Sequence, residues 1–158
     1  MHQINKQKIK TGFTLIELIV VMGIFAVLSA FISVSLLKGQ TGAAVDSTLE
    51  VLKADIKSQQ TKAMLGGSAY GIFFSSTGYV LFQGSSYVPN LSSNFSIEFD
   101  QGVSFTTINL PSSQIVFDSL SGEVNGYSSS QNSVVLTHDS AENFKTLSIS
   151  SFGVITEN

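Results

Sequence analysis

Residues 13–37 read FTLIELIVVMGIFAVLSAFISVSLL, an apolar run of 25 residues in which Glu17 is the one charged side chain. As a helix, this run extends roughly 38 Å at about 1.5 Å per residue, which is enough to cross a hydrocarbon core about 30 Å thick. Three lysines stand within residues 6–10, and only Lys38 follows the run closely. This asymmetry predicts a single-pass membrane helix with its N-terminus in the cytoplasm.

Two ordinary export segments are alternatives to this interpretation. A secretory signal peptide has a shorter apolar core of about 7–15 residues and a small-x-small cleavage site after it, which this sequence lacks. A plain signal anchor fits the length but gives no reason for Glu17. A carboxylate in a spanning helix costs about 1–3 kcal/mol, and such residues are usually functional and paired. Glu17 also lies in the first helical turn, where its charge favours the positive helix end, or near enough to the surface to reach the headgroups.

The string KTGFTLIELIVV at residues 10–21 resembles the class III signal of type IV pilins and type II secretion pseudopilins. In that family a membrane aspartyl peptidase cuts after the glycine, and the new first residue is N-methylated. The resemblance implies a removed leader at residues 1–12, cleavage between Gly12 and Phe13, and N-methylation of Phe13. It also implies that Glu17 docks to the cationic N-terminus of a neighbouring subunit. Removing one of two such charges would leave the other buried and unpaired, which costs about 3–5 kcal/mol.

The composition excludes several classes of function. Only 12 % of the residues are charged and 43 % are hydrophobic, which favours a membrane or assembly context. The chain has no cysteine, and this excludes a disulfide framework and a cysteine-based zinc site. Without residues 1–12, five lysines face eleven acids, a balance of about −6. From residue 66 onward Lys145 alone faces seven acids, which argues against nucleic-acid binding.

A second helical pattern follows the apolar run. We expect the helix to weaken at the glycines of residues 39–42 and to stop at Gly66-Gly67. Glu50 and Lys53 are spaced to form an ion pair. The apolar residues fall at three-, four- and seven-residue intervals, which predicts one buried face: Val45, Leu49, Leu52, Ile56 and Ala63. This face could pack on the protein's own sheet or against a partner helix.

After residue 67 the sequence changes to short β-like runs separated by turn residues. Residues 70–74 and 79–82 are expected to form a hairpin. The further runs are 95–99, 103–107, 114–117, 122–125, 133–137, 146–150 and 154–156. The sequence therefore predicts an α+β fold, in which a long N-terminal helix with a membrane half and an amphipathic half packs on an antiparallel β head. The expected segments are the leader 1–12, the membrane helix 13–37, the amphipathic helix 38–65 and the head 66–158.

The predicted head also resembles that of minor pseudopilins of the GspH/FimT type. The similarity lies in the early hairpin, in IVFDSLSG at residues 115–122 and in LSISSFGVI at residues 147–155. FimT-type proteins implicated in DNA uptake carry arginines around the closing glycine turn. Here that turn, at Gly153, is followed by Glu157 and by no basic residue. The resemblance implies the head architecture and a minor subunit, and the departure argues against carrying over DNA binding.

Catalytic chemistry has little support in this sequence. His138 and Asp139 are adjacent, with Glu142 nearby, but the other histidine lies in the leader, so a multi-histidine metal site is excluded. Asp118, Glu123 and Asp139 could bind calcium, yet they form no dense acidic loop. We expect the stretch that begins at His138 to be a loop between strands. The sequence predicts no enzyme, with no catalytic residue, metal or cofactor.

The leading hypothesis is a structural subunit of a type IV pilus or of a type II secretion-like pseudopilus. The expected partners are the prepilin peptidase, other pilin or pseudopilin subunits, the inner-membrane assembly platform and membrane lipid. The expected location is the inner membrane, followed by an extracytoplasmic filament. Two alternatives stay open: a DNA-uptake minor pilin, and a membrane-anchored surface protein that does not polymerise.

Overall fold

The computed structural model describes residues 14–139 and 144–158, without the side chains of residues 30–42. The chain divides into two compact units, Met1–Leu37 and Lys38–Asn158. Helix α1 runs from Leu15 to Gly66. Its backbone is helical through residues 39–42, where glycine was expected to weaken it. The expected stop is confirmed: α1 ends at Gly66, and Gly67 has a positive φ of 64°, the conformation that commonly closes a helix.

The predicted buried face of the second half of α1 is confirmed. All five of its apolar residues are at most 3 % exposed: Val45, Leu49, Leu52, Ile56 and Ala63. They join one core with side chains from two sheets. The rings of Phe74 and Phe105, one from each sheet, meet edge to face with centroids 5.5 Å apart. Burial of this stripe, at roughly 1.5–3 kcal/mol per large apolar side chain, is what holds this part of α1 on the sheets.

Eight strands form two four-stranded antiparallel sheets, which confirms the α+β class. Sheet A has the order β3-β2-β1-β5 and sheet B the order β4-β6-β7-β8. The bounds are β1 Tyr70–Ser75, β2 Gly78–Gln83, β3 Phe95–Glu98, β4 Val103–Asn109, β5 Gln114–Phe117, β6 Ser133–His138, β7 Phe144–Ile149 and β8 Ile155–Glu157, with a 3-10 turn at Pro111–Ser113.

The predicted hairpin is confirmed by the pairing of Ser75 with Gly78 across the turn between β1 and β2. Most of the other predicted strands are also present. The exception is 122–125, where Val124 makes an isolated bridge to Phe117 and no strand forms. His138 is the last residue of β6 rather than part of a loop.

Two glutamines lie buried on the helix face that packs on the sheets. The pattern of apolar residues does not predict their burial. Gln59 and Gln60 are 2 % and 5 % exposed. The Gln60 amide donates to the carbonyls of Gly122, at 2.9 Å, and Phe152, at 2.8 Å. Gly153 has a φ of 73°, and a Cβ there would overlap the Gln60 amide. The closing turn is therefore shaped to fit against the helix.

A buried tyrosine makes a second polar link between α1 and sheet A. The Tyr79 hydroxyl donates to Asp55 Oδ2 at 2.7 Å, and Tyr79 is 1 % exposed. Burial raises the pKa of Tyr79 far above its usual value, and the Asp55 carboxylate raises it further. The hydroxyl therefore stays protonated and keeps donating to Asp55.

Candidate functional site

Thr14 and Glu17 form a reciprocal cap at the start of α1. The backbone N–H and the hydroxyl of Thr14 both donate to Glu17 Oε2 at 3.0 Å, and the Glu17 N–H donates to the Thr14 hydroxyl at 3.3 Å. The Leu18 N–H reaches the Thr14 carbonyl at 3.2 Å and begins the helical ladder. This arrangement is a capping box, which satisfies backbone donors that the first turn of a helix otherwise leaves unpaired.

The cap gives Glu17 a partner within its own chain. Sequence reasoning assigned Glu17 to a neighbouring subunit and overlooked Thr14, although the pattern T-x-x-E before an apolar run signals this cap. Both Thr14 donors reach the same oxygen, Oε2, and the Glu17 side chain is exposed. The carboxylate is thus oriented by the helix start and still faces outward.

The described part of the apolar segment, residues 15–29, exposes its large side chains all around the helix. Exposed fractions range from 44 % at Val21 to 76 % at Leu15. A helix that is apolar on every face requires an apolar environment on every face, from lipid or from other protein chains. Within the described residues, no helix combines the length and the apolar character needed to cross a membrane.

The predicted processing site, Gly12 and Phe13, lies outside the described residues. Cleavage after Gly12 and N-methylation of Phe13 therefore stay predictions. The cap at Thr14 begins one residue after the predicted new N-terminus, so removal of residues 1–12 would leave the Thr14 N–H available to Glu17.

Of the acidic residues considered for metal binding, Asp118 has a side-chain partner close to it in sequence. Asp118 Oδ1 accepts from the Asn125 amide at 2.7 Å, and the Asp118 N–H donates to the Glu123 carbonyl at 2.9 Å. His138 pairs with Val103 in the sheet, and its ring lies against Gly102. In residues 14–139 and 144–158, no three histidine or carboxylate side chains group closely enough to hold a metal ion. Glu142 lies outside the described residues.

An ion-pair network links α1 to the last two strands. Glu157 binds Lys145 at 2.7 Å and Lys53 at 2.5 Å, and Lys53 also binds Glu50 at 2.8 Å, as its spacing predicted. Lys145 further approaches Asp46 at 3.6 Å. Hydrogen bonds from Lys145, then from Lys53, lower the pKa of Glu157 from its usual 4.5 to about 2. Glu157, which follows the closing turn, is therefore ion-paired with two lysines from other elements.

Comparison with known proteins identifies the N-terminal segment. The family described as the prokaryotic N-terminal methylation motif matches residues 7–33. This match confirms the resemblance to the type IV pilin signal and indicates a prepilin-like protein, processed by prepilin peptidase and assembled with other pilins. No curated protein and no solved structure matches the chain.

Proposed function

We propose that this chain is a structural subunit of a type IV pilus or a type II secretion-like pseudopilus. It is made as a prepilin, cut after Gly12, N-methylated at Phe13 and assembled through α1. The observation that carries this proposal is the methylation motif at residues 7–33, which contains a carboxylate oriented at the helix start. In the proposed filament, Glu17 faces the cationic N-terminus of a neighbour.

The exposed apolar surface of residues 15–29 supports assembly through α1. Before assembly, lipid would cover this surface in the inner membrane; in the filament, the helices of neighbouring subunits would replace the lipid. The assembly platform of the inner membrane would carry out this transfer. Two opposite charges brought together there relieve each other's desolvation, so the carboxylate sets the register between subunits.

The charges of the head argue against capture of DNA. They favour a structural role, as a minor subunit of the GspH/FimT-like kind. Its one lysine, Lys145, pairs with Glu157 and Asp46, and Lys53 of α1 pairs with Glu157 and Glu50. Lysines engaged in this way offer little to a phosphate backbone. We propose no catalytic activity for the head.

Substitution at the processing site tests the proposal. We expect Gly12→Val to block maturation, because glycine lets the backbone enter a protease cleft closely. In cells that express prepilin peptidase, immunoblotting would show only the precursor, and mass spectrometry would find no N-methylated Phe13. The matched control is Gly23→Ala, since a Cβ at Gly23 meets no heavy atom within 4 Å. A mature-sized band from Gly12→Val would overturn the cleavage assignment.

A further inference from the structure

Strand β3 leaves one edge of sheet A without a partner strand among the described residues. The Phe99 N–H donates to the Thr77 carbonyl at 2.9 Å, and the register continues as Ile97 with Tyr79 and Phe95 with Leu81. Hydrogen-bonding directions alternate along an antiparallel strand. The backbone N–H and C=O groups of Ser96 and Glu98 therefore point away from the sheet, where another strand could pair with them.

Two cavities lie beside this edge, between α1 and β3, and we call them together the β3 groove. The smaller has a volume of about 160 Å³ and the larger about 430 Å³. Apolar side chains from the paired positions of β2 and β3 form the floor: Tyr79 and Ile97 in the smaller cavity, Leu81 and Phe95 in the larger. Phe95 is 65 % exposed, so its ring is available to a ligand.

Gln59, which lines the larger cavity, has a buried acceptor without a donor in the described part of the chain. Gln59 is 2 % exposed, and its Nε2 donates to the Gly71 carbonyl at 3.1 Å, but its Oε1 has no donor among the described residues. A buried acceptor without a donor destabilises the folded chain, so Gln59 Oε1 favours a ligand that donates a hydrogen bond.

Lys62 lines the same cavity and supplies the complementary group. A peptide unit carries one N–H donor and one C=O acceptor. A donor on the ligand would complement Gln59 Oε1, and an acceptor on the ligand would pair with the Lys62 ammonium. The pair of Gln59 and Lys62 therefore fits the polar pattern of a peptide backbone.

The charges along the β3 groove give the ligand a direction. Lys62 lies at the end where β3 begins, beside Phe95. Glu98 and Asp100 line the smaller cavity at the end where β3 finishes. An extended segment that fits both ends carries an acid near Lys62 and a base near the two carboxylates. Antiparallel addition, which matches the rest of sheet A, puts the base on the N-terminal side of the segment.

We propose that the β3 groove binds an extended peptide segment of a partner protein, which adds to β3 as an antiparallel strand. Main-chain hydrogen bonds to Ser96 and Glu98 supply affinity, and apolar side chains of the segment enter the two cavities. The charged ends select the orientation. This binding requires neither cleavage after Gly12 nor docking of Glu17, so it stands apart from the proposed filament assembly.

The direct test uses the full chain in detergent micelles and two fluorescent heptapeptides with blocked ends. The first, Lys-Thr-Val-Thr-Val-Thr-Glu, has the predicted charge order; the second, Glu-Thr-Val-Thr-Val-Thr-Lys, reverses it. We expect the first to bind at least about threefold more tightly by fluorescence anisotropy, because two exposed charge pairs distinguish the peptides. Equal binding, or no binding of either peptide, would overturn the proposal.

Exchanging the charges of the β3 groove gives a sharper result. The double variant Lys62→Glu with Asp100→Lys is expected to prefer the second peptide, because both positions are exposed and the exchange leaves the fold intact. An unchanged preference would contradict the assigned orientation.

A proline at the edge tests main-chain pairing. Ser96→Pro removes an outward N–H while leaving the bonds to β2, and edge strands tolerate proline. We expect at least about a tenfold loss of affinity for the first peptide, equivalent to one or two lost hydrogen bonds, with Ser96→Thr as the matched control. Wild-type affinity in Ser96→Pro would exclude strand addition. If this variant does not fold, the charge exchange decides the question.

Discussion

At the scale of single residues, the observed cap and the proposed docking place different demands on Glu17. Its Oε2 accepts two hydrogen bonds from Thr14 and so fixes the start of α1. Its charge is available to a neighbouring chain. Capping requires only an acceptor, and glutamine at this position of a capping box serves nearly as well as glutamate. Docking to a cationic N-terminus requires the charge itself.

Glu17→Gln therefore distinguishes capping from docking. We expect the variant to be cut after Gly12 at the normal level but to enter filaments at least about tenfold less, because loss of the charge leaves the neighbour's N-terminus unpaired. Quantitative immunoblotting of sheared filaments measures the incorporation.

Thr14→Val is the reciprocal control, since it removes the hydroxyl of the cap and keeps the charge. The helix start should lose about 1 kcal/mol, with little effect on incorporation. If Glu17→Gln assembles normally while Thr14→Val does not, Glu17 acts as a cap and not as a docking group.

At the scale of elements, the helix face shows what the sequence could and could not predict. The spacing of Val45 to Ala63 identified the buried stripe, because burial of apolar side chains repeats with the helical period. The helical period also places residues 59 and 60 on the buried face, between Ile56 and Ala63, although their side chains are polar. These two residues are Gln59 and Gln60. The buried Gln59 amide donates to a carbonyl of β1, and the Gln60 amide donates to carbonyls of two distant loops.

Sequence patterns over a few residues do not predict contacts of this kind, because the partners lie far apart in the chain. The partner of Lys53 at three residues, Glu50, was predictable from helix geometry, whereas Glu157 lies 104 residues away and depends on the order of sheet B. For the same reason the sequence predicts most of the strands but not their order within each sheet. The spacing of residue types along the chain predicts helices and strands, whereas tertiary packing decides which residues come into contact.

The contact between Gln60 and the closing turn predicts unequal effects at two glycines. Gly153 and Gly126 both have positive φ, 73° and 64°. A Cβ at Gly153 would meet the Gln60 amide and the Phe117 ring, whereas one at Gly126 meets nothing within 4 Å. We expect Gly126→Ala to lower the free energy of unfolding by about 1 kcal/mol, from backbone conformation alone.

Gly153→Ala should lower the free energy of unfolding by roughly 2–4 kcal/mol, because it adds steric overlap and disturbs the two hydrogen bonds that the Gln60 amide donates. Urea denaturation of the full chain in detergent compares the two variants. Equal losses would mean that the fit between the turn and Gln60 contributes nothing to stability.

At the scale of the whole molecule, ion pairs join parts of the chain that are far apart in sequence. Lys53 of α1 and Lys145 of β7 share Glu157 of β8. Hydrogen bonds to Glu157 raise the pKa of both lysines above their usual 10.5, and they lower that of Glu157 to about 2. The network is exposed, so solvent and salt weaken it.

These shifts predict how stability depends on pH. The contribution of Glu157 to the free energy of unfolding is complete above about pH 4.5 and disappears as the pH falls toward 2. The reason is that a lowered pKa favours the folded state only while the group is ionised. The lysine contribution is complete below about pH 10.5 and is lost above it.

Glu157→Gln should lower Tm by a few degrees at most at pH 7 and by much less near pH 2. Thermal unfolding followed by circular dichroism measures this. The control, Glu123→Gln, changes a carboxylate that is in none of the ion pairs of the described residues. A loss that is the same at both pH values would contradict the assigned network.

The distances in sequence across the Gln60 and Lys53 contacts also set the order of events during synthesis. These contacts join residues 92 and 104 positions apart. At about 5–20 residues per second, a ribosome needs roughly 5–20 s to make the intervening chain. During that interval the ribosome has made most of the apolar stripe of α1, while the turn and strand that complete its cover do not yet exist. A chaperone that shields the stripe has those seconds in which to act, and a chain stalled before residue 152 lacks both contacts.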